Sequence, residues 1–271
     1  MQHGQVSRLA RQVLPKAIAQ RLRNRLPDWT LAQLRRVFEH VVKHGMRLQA
    51  KGGPVRRVEC LFRMTTNLTS FFREEHHFPI LAAHALAGNA PLKVWCNASS
   101  TGEEPYSIAI TLCEAFDTLR PPVSILATDI DTRVLEEASD GVYSMDRVSE
   151  LSQERRKRFF LRGKGEQSGK VRIRPELRAL IEFQPLNLLD SKWSVKGPLD
   201  AIFCRNVMIY FDKPTQKRIL ERFVPLMKPN ALLFSGHSEN VGFVTDSFKL
   251  QRKTVYQLQA DASQRGRALV C

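Results

Sequence analysis

The feature that most constrains this chain is an alternation between short apolar runs and helical stretches, which begins at Lys93. Five runs give way to small or polar residues: KVWCNAS, VSILATDID, IEFQPLNLL, LDAIFCRNVMIYF and ALLFSGH. Strands that alternate with helices predict an α/β fold with a parallel sheet. Ligands of such sheets bind beyond the carboxyl ends of the strands, so the polar residues at those ends are the first candidates for a functional site.

A glycine-rich segment interrupts this alternation between the second and third predicted strands. The sequences LRGKG and GKVRIR flank its tip. This pattern predicts a β-hairpin inserted into the sheet domain, at about 158–178.

The amino-terminal segment is strongly basic. The chain has 42 Lys and Arg against 27 Asp and Glu, a net charge of +15, and residues 1–60 hold 13 of the basic and 3 of the acidic side chains. Apolar residues at helical spacing predict two short helices in this segment, which ends in the turn-rich sequence KGGPVRR. We therefore expect a basic helical N-terminal domain and linker at 1–58, followed by the sheet domain at 59–271.

The more polar face of the first predicted helix carries Arg21, Arg23 and Arg25. A cationic module beside a nearly balanced body is typical of a surface that steers an anionic partner, such as nucleic acid, a membrane surface or an acidic protein. A solvated helix face is the simpler interpretation of the same charges. The excess of Arg over Lys favours recognition of carboxylate or phosphate groups.

The composition excludes several classes of protein. With 43% apolar and 25% charged residues, the chain has no sign of disorder or of a fibrous repeat. Its longest apolar runs are far shorter than the roughly 20 residues of a membrane span, and no export signal opens the sequence, so a soluble, cytoplasmic protein is expected. Five widely spaced cysteines without a C-x-x-C pair argue against a disulfide framework and against a zinc site, and no metal is expected.

The segment SSTGEEPYSIAITLCEAF predicts a turn followed by a helix, with the spacing of a capping box from Thr101 to Glu104 and Pro105 in the first turn. The dinucleotide fingerprint G-x-G-x-x-G is absent, and two acidic residues at a helix start would repel a pyrophosphate. Glu103 and Glu104 instead suit a cationic ligand, such as an α-amino group or a sulfonium. Compensation of the helix dipole is the alternative.

The second predicted strand ends in Thr128-Asp129-Ile130-Asp131. Nucleoside-binding α/β domains place an acidic residue at this point to accept the ribose hydroxyls, which makes Asp129 the candidate and Asp131 a helix cap. An acid without a phosphate site indicates a nucleoside that lacks phosphates. S-adenosylmethionine fits this description.

Four blocks of the sequence resemble those of the chemotaxis receptor glutamate O-methyltransferases: TTNLTSFFRE, CNASSTGEEPYSIAITL, ATDIDTRVLEEASDGVYS and FCRNVMIYFDKPTQKRILERFVPLMKPNALLFSGHSEN. The resemblance runs from about Thr65 to Leu258. It implies a Rossmann-like S-adenosylmethionine-dependent methyltransferase domain with a small antiparallel β-insert and a small all-α N-terminal domain. The implied activity is methylation of glutamate side chains on the cytoplasmic helices of bacterial chemoreceptors, with S-adenosyl-L-homocysteine as the product.

The resemblance also implies site residues. The cofactor and active site would be lined by Asn67, Thr69 and Arg73. Glu104 would meet the methionyl amino group, Asp129 the ribose, Asn187 and Leu188 the adenine side, and Arg205 and Asn206 the methionine moiety, with Tyr210 nearby. A glutamate carboxylate has a pKa of about 4.3 and is already an ionised nucleophile at neutral pH, so no general base is required. Arg73 is the candidate for orienting that carboxylate, and Phe71, Phe72 or Tyr210 for facing the sulfonium.

Two further surfaces are implied to bind the receptor. In relatives, the hairpin docks a C-terminal receptor peptide as an added strand, and Arg162, Gly163, Gly165 and Arg172 match the positions used there. The basic helix with Arg21, Arg23 and Arg25 would dock on acidic receptor helices. The expected protein is a monomer without membrane insertion or nucleic acid.

Two alternatives remain open at this stage. One is a nucleic-acid methyltransferase that uses the basic N-terminus, although CRNVMIYF lacks the prolines of the base amino-methylation motif and Cys204 follows Phe203 rather than Pro or Thr. The other is a catalytically silent adaptor that binds receptor tails.

Overall fold

The computed structural model describes residues 69–88 and 91–259. In chain order the strands are β1 Leu92–Asn97, β2 Val123–Asp129, β3 Val142–Ser144, β4 Phe160–Arg162, β5 Lys170–Ile173, β6 Ile181–Pro185, β7 Leu199–Cys204, β8 Met227–Ser235, β9 Phe248–Arg252 and β10 Val255–Leu258. The α-helices are α1 His77–Ala87, α2 Glu103–Ala115, α3 Thr132–Asp140, α4 Gln153–Phe159, α5 Pro175–Arg178 and α6 Lys213–Phe223.

Seven strands form the central sheet, in the order β6-β2-β1-β7-β8-β10-β9. The first five of these are mutually parallel, whereas β10 is antiparallel to both of its neighbours. Each of the five predicted apolar runs overlaps one of the parallel strands, so the predicted parallel α/β sheet is confirmed. Strands β9 and β10 were not predicted. Four of the five residues of the edge strand β9 are exposed and give no apolar run, and β10 has only four residues.

Both faces of the central sheet are covered. Along β1, the side chains of Val94 and Cys96 belong to one buried apolar cluster, and the side chain of Trp95 belongs to a second. The first cluster includes residues of α1 and α2, and the second includes residues of α6. Because successive side chains of a strand point to opposite faces, a sheet with two cores requires this continuous burial along its inner strands.

The insert is a second sheet of three antiparallel strands, in the order β3-β5-β4. The predicted hairpin is confirmed as β4 and β5. Strand β3 lies outside the predicted segment, because it is not joined to a neighbouring strand by the glycine-rich tip that predicted β4 and β5. One face of this sheet is buried through residues such as Tyr143 and Ile173, whereas Val142 and Leu161 on the other face are 40% and 42% exposed.

Some expectations concern residues outside those that the structure describes. They are the N-terminal domain at 1–58, with Arg21, Arg23 and Arg25, and the predicted site residue Asn67. Within the described ranges, every helix is too short or too polar to cross a bilayer.

Candidate functional site

The predicted site residues follow strands that lie side by side. Asn97, the last residue of β1, is in register with Thr128 of β2 on one side and with Cys204 of β7 on the other, and Asp129 is in register with Pro185 of β6. Since the carboxyl ends of these parallel strands share one edge, the residues that follow them meet there. The structure thus brings the segments that follow β1, β2, β6 and β7 to one edge of the sheet.

Both carboxylate oxygens of Asp129 are held by backbone amides. The N–H of Ser100 donates to Oδ2 at 2.9 Å, and the N–H of Asp131 donates to Oδ1 at 3.0 Å. Burial raises the pKa of this carboxyl, while the backbone hydrogen bonds oppose the rise. The amide of Ile130 also acts on this carboxylate, which has about four acceptor sites in all, so the carboxylate keeps acceptor capacity for a ligand hydroxyl. Asp131 caps α3 by accepting from the N–H of Arg133 at 3.0 Å, which confirms the prediction for that residue.

The segment after β6 lies against Asp129. The N–H of Leu186 donates to the carbonyl oxygen of Asp129 at 2.9 Å, and the half-buried Asn187 accepts through its side chain from the N–H of Leu189 at 3.0 Å. The side chain of Leu188 is buried in the apolar cluster that contains Trp95. Any contact of Leu188 with a cofactor would therefore be made by the backbone groups of Leu188.

The start of α2 differs from the predicted capping box. The N-terminal cap is Gly102, with φ +96°, and no side chain of the described residues caps the helix. A Cβ atom on Gly102 would lie 2.9 Å from both the hydroxyl of Tyr143 and the Cβ of Ala138, so glycine is required by conformation and by space. Pro105 lies in the first turn, as predicted.

The two glutamates at the start of α2 have different partners. Glu103 is fully buried, accepts from the hydroxyl of Thr101 at 2.7 Å and forms an ion pair with Arg147. The counter-charge of Glu103 is therefore Arg147 of the same chain, and not the cationic ligand that the sequence analysis suggested. The side chain of Glu104 is 12% exposed and pairs with Arg205, and the thiol of Cys96 donates to it at 3.2 Å. Burial, and secondarily Glu104, raises the pKa of this thiol well above its usual range.

The buried Arg205 joins the β7 end to the segment that precedes α1. Its guanidinium pairs with Glu104, lies 3.6 Å from a carboxylate oxygen of Glu74 and donates to the carbonyl oxygen of Arg73. This network fixes the backbone of Arg73, whose side chain is exposed. Burial raises the pKa of Tyr210, and the positive charge of Arg73 opposes that rise, so the two predicted catalytic residues are electrostatic neighbours.

A buried carboxylate that the sequence analysis missed organises the loop after β7. Glu239 accepts from the N–H groups of Asn206 at 3.0 Å, Met208 at 2.7 Å and Gly236 at 2.6 Å. Asn206 has a φ of 58°. Burial raises the pKa of Glu239, and the backbone hydrogen bonds oppose the rise. The motif SGHSEN was noted only as part of the resemblance, and nothing in it indicates that its acid reaches back to Asn206.

Of the aromatic residues considered for the sulfonium, Phe71 belongs to the core. Its ring packs edge-on against Tyr143 and Phe160, with centroids 5.0 and 5.6 Å apart. The guanidinium of Arg155 lies 4.0 Å from the centroid of Phe72. Tyr210, beside Arg73, is the remaining candidate.

One group in the described residues has the composition of a metal site. Glu74, His76 and His77 offer ligand atoms within 4.8 Å of one another. However, Arg205 already supplies a positive charge 3.6 Å from the Glu74 carboxylate, and both imidazoles contact the hydroxyl of Thr254 through Nε2. The group is therefore better explained as part of the arginine network than as a metal centre.

The insert residues predicted to bind a peptide lie on both faces of their sheet. Arg172 of β5 is paired with the exposed Val142 and Leu161, whereas Arg162 of β4 is paired with the buried Val171. Gly163 and Gly165 follow in the loop between the two strands. Arg172 also donates to the carbonyl oxygen of Asp140 at 3.2 Å.

Comparison with known proteins agrees with this geometry. Residues 67–257 match the family model described as CheR methyltransferase, SAM binding domain. The chain is 57% identical, over 72% of its length and 67% of the relative's, to a chemotaxis protein methyltransferase of Klebsiella aerogenes. It is 56% identical, over 71% of its length and 70% of the relative's, to chemotaxis protein methyltransferase 2 of Pseudomonas aeruginosa.

Among solved structures, the plantazolicin methyltransferase BpumL in complex with SAH matches 75% of this chain and 61% of that chain, with 13% identity and a TM-score of 0.40. The family match covers most of the chain and contains every described site residue discussed above. The chain therefore belongs to the CheR methyltransferase family and carries its S-adenosylmethionine-binding domain.

Proposed function

We propose that this protein transfers the methyl group of S-adenosylmethionine to glutamate side-chain carboxylates of bacterial chemoreceptors, forming glutamyl methyl esters and releasing S-adenosylhomocysteine. The observation that carries the proposal is a pair of ordered acids at the carboxyl edge of the sheet: backbone amides hold Asp129, and Arg205 holds both Glu104 and the backbone of the exposed Arg73. The names of the relatives, chemotaxis protein methyltransferases, support the reaction class and the process.

The acids at the sheet edge suit the cofactor. Asp129 retains acceptor capacity for a ribose hydroxyl, and Glu104, which pairs with Arg205, would be a counter-charge for the α-amino group. Asn187, Leu188 and Asn206 would line the same site, together with Thr69 and with Asn67 outside the described residues. When bound, S-adenosylmethionine supplies an electrophilic methyl group.

The substrate carboxylate needs orientation rather than activation. At neutral pH it is ionised, so the protein has no proton to remove. The planar guanidinium of Arg73 presents a two-pronged set of donors that matches a carboxylate, and Tyr210, with its pKa raised by burial, keeps its hydroxyl as a donor. Holding one carboxylate oxygen in line with the methyl carbon is a positioning task of the kind that supplies roughly 7 to 11 kcal/mol of barrier reduction.

Receptor recognition is assigned to two surfaces. The insert offers the exposed row Val142, Arg172 and Leu161, with Arg162, Gly163 and Gly165 near the hairpin tip, as a docking surface for a receptor tail peptide. Arg21, Arg23 and Arg25 would dock on acidic receptor helices. These partners place the protein in the cytoplasm, where we expect it to act as a monomer.

The test is incubation of the protein with S-adenosylmethionine labelled in its methyl group and a panel of receptor cytoplasmic fragments. We expect label on receptor that mild base releases as methanol, since esters hydrolyse under conditions in which N-methyl groups are stable. Base-stable label, or label in added nucleic acid in place of receptor, would contradict the proposal. Cofactor binding without transfer to any fragment would favour the adaptor alternative.

A further inference from the structure

Arg147 lies in a short 3-10 turn, Met145–Val148, that follows the insert strand β3. One terminal nitrogen of its guanidinium is shared by three groups. It pairs with the carboxylate of Glu103, lies 3.3 Å from the carbonyl oxygen of Thr69 and lies 3.5 Å from the hydroxyl of Thr101. These contacts join two segments that are distant in the chain, the one that begins the described residues and the turn before α2.

The ion pair between Arg147 and Glu103 is important because Glu103 is buried. Its side chain has no exposed surface, so its charge must be balanced within the protein. The hydroxyl of Thr101 donates to one carboxylate oxygen, and Arg147 supplies the cation at the other. A buried carboxylate that loses its cation is strongly unfavourable, and the turn that carries it must then rearrange.

The same turn is held from the insert by a second side chain. The hydroxyl of Tyr143, in β3, donates to the carbonyl oxygen of Thr101 at 2.7 Å. Gly102, which has no space for a side chain, lies between the two points of attachment. The conformation of residues 101–103 is therefore set by two residues that flank the end of β3.

We propose that Arg147 is a positioning residue for the cofactor site: it holds the turn at Thr101–Glu103 against Thr69, so that the amide of Ser100 stays on Asp129 and Glu104 faces the ligand. This inference rests on the proposed function, which assigns Thr69, Glu104 and Asp129 to the cofactor. Arg147, in the turn that follows insert strand β3, thus has a role in cofactor binding that is separate from the peptide docking proposed for the insert.

The experiment compares Arg147→Gln with Arg158→Gln in the full chain. The two arginines are matched, because their side chains are 43% and 41% exposed and each pairs with one acid, but the partner of Arg158 is the 89% exposed Asp117. Titration calorimetry with S-adenosylhomocysteine is expected to show affinity weakened roughly tenfold or more in Arg147→Gln and unchanged in Arg158→Gln. Arg147→Lys, which keeps the charge, should recover part of the loss.

Two further measurements separate positioning from general destabilisation. With receptor fragment as substrate, the KM for S-adenosylmethionine should rise in Arg147→Gln while the KM for receptor stays unchanged. If Arg147→Gln does not fold, the comparison is made with Arg147→Lys and with Glu103→Gln/Arg147→Gln, which removes the buried charge together with its partner, and weaker cofactor binding is again expected in both.

Unchanged affinity for S-adenosylhomocysteine in a folded Arg147 variant, or an equal loss in Arg158→Gln, would overturn the inference. Because calorimetry needs no receptor, a wild-type protein that binds S-adenosylhomocysteine but methylates no receptor fragment would refute the proposed function and leave this inference standing.

Discussion

Lowering the pH from 7.5 to 5 is expected to weaken the fold by about 2 kcal/mol through one buried side chain, His77. Burial lowers the pKa of its imidazole from 6.5 to about 2, with the positive charges of Arg205, His76 and Lys253 acting in the same direction. The side chain has no exposed surface, and its Nε2 lies 2.8 Å from the hydroxyl of Thr254. The folded protein therefore keeps this imidazole neutral.

The sign and size follow from proton linkage. In the unfolded chain His77 takes up a proton near pH 6.5, whereas in the folded chain it stays neutral until about pH 2. Because the folded pKa is lowered, this contribution to stability is fully present above the unfolded pKa and is lost progressively as the pH falls from there toward the folded pKa. At about 1.36 kcal/mol per pH unit, integration between pH 7.5 and 5 gives a loss of about 2 kcal/mol, and any folded pKa below about 4 gives nearly the same figure.

The assay is urea denaturation followed by tryptophan fluorescence, since Trp95 is fully buried. His77→Gln keeps an N–H donor for Thr254 but does not titrate, so its free energy of unfolding should fall by about 2 kcal/mol less than that of the wild type over this pH range. The matched control is His237→Gln, because His237 is exposed. If wild type and His77→Gln show parallel pH dependence, His77 is not held neutral in the fold and the reasoning fails.

Three other predictions concern the site. Asp129→Ala should weaken S-adenosylmethionine binding through the loss of charge-assisted hydrogen bonds, worth roughly 1.5 to 3 kcal/mol each, and unchanged affinity by calorimetry in a folded variant would remove Asp129 from the site. Arg73→Lys should fold normally and lose turnover, because the ammonium group of lysine cannot offer a carboxylate the two parallel N–H donors of a guanidinium. Wild-type turnover in this variant would contradict the role assigned to Arg73. Arg172→Ala should abolish binding of a free receptor tail peptide, whereas reversal of the charges at 21, 23 and 25 should leave peptide binding intact. The charge reversal should also lower receptor methylation and make the residual rate less sensitive to salt, because the attraction that salt screens has been removed. If instead the charge reversal abolishes peptide binding and Arg172→Ala leaves it intact, the N-terminal helix binds the tail peptide and the assignment of the two surfaces is wrong.

The parts of the fold that could be predicted were those encoded locally. Apolar runs predicted the five parallel strands, most clearly β1 and β7, whose side chains are buried on both faces of the sheet. The edge strand β9 has one buried residue, and the three-residue strand β3 lies outside the hairpin that the glycine-rich tip marks, so neither leaves a local signal.

The same distinction holds for the candidate site. Asp129 ends strand β2 and Arg205 follows strand β7, so the strand-end rule together with the resemblance predicted both as site residues. Glu239 and Arg147 were missed because their partners lie far away in sequence: Glu239 holds Asn206, 33 residues away, and Arg147 holds Glu103, 44 residues away. A polar side chain gains such a role through tertiary contact, which no local pattern records.

The carboxylate of Glu239 ties two loops to each other. Because it accepts from amides of the loop after β7 and of the loop after β8, the lengths of the two loops are coupled: a residue inserted into either would pull amides away from a charge that has been removed from water. The two loops are therefore held to each other at the carboxyl edge of the sheet. Under the proposed function, a receptor helix that meets these linked loops would have to adjust its own backbone to bring a glutamate into line, and selection among neighbouring glutamates would then depend on how easily that helix deforms.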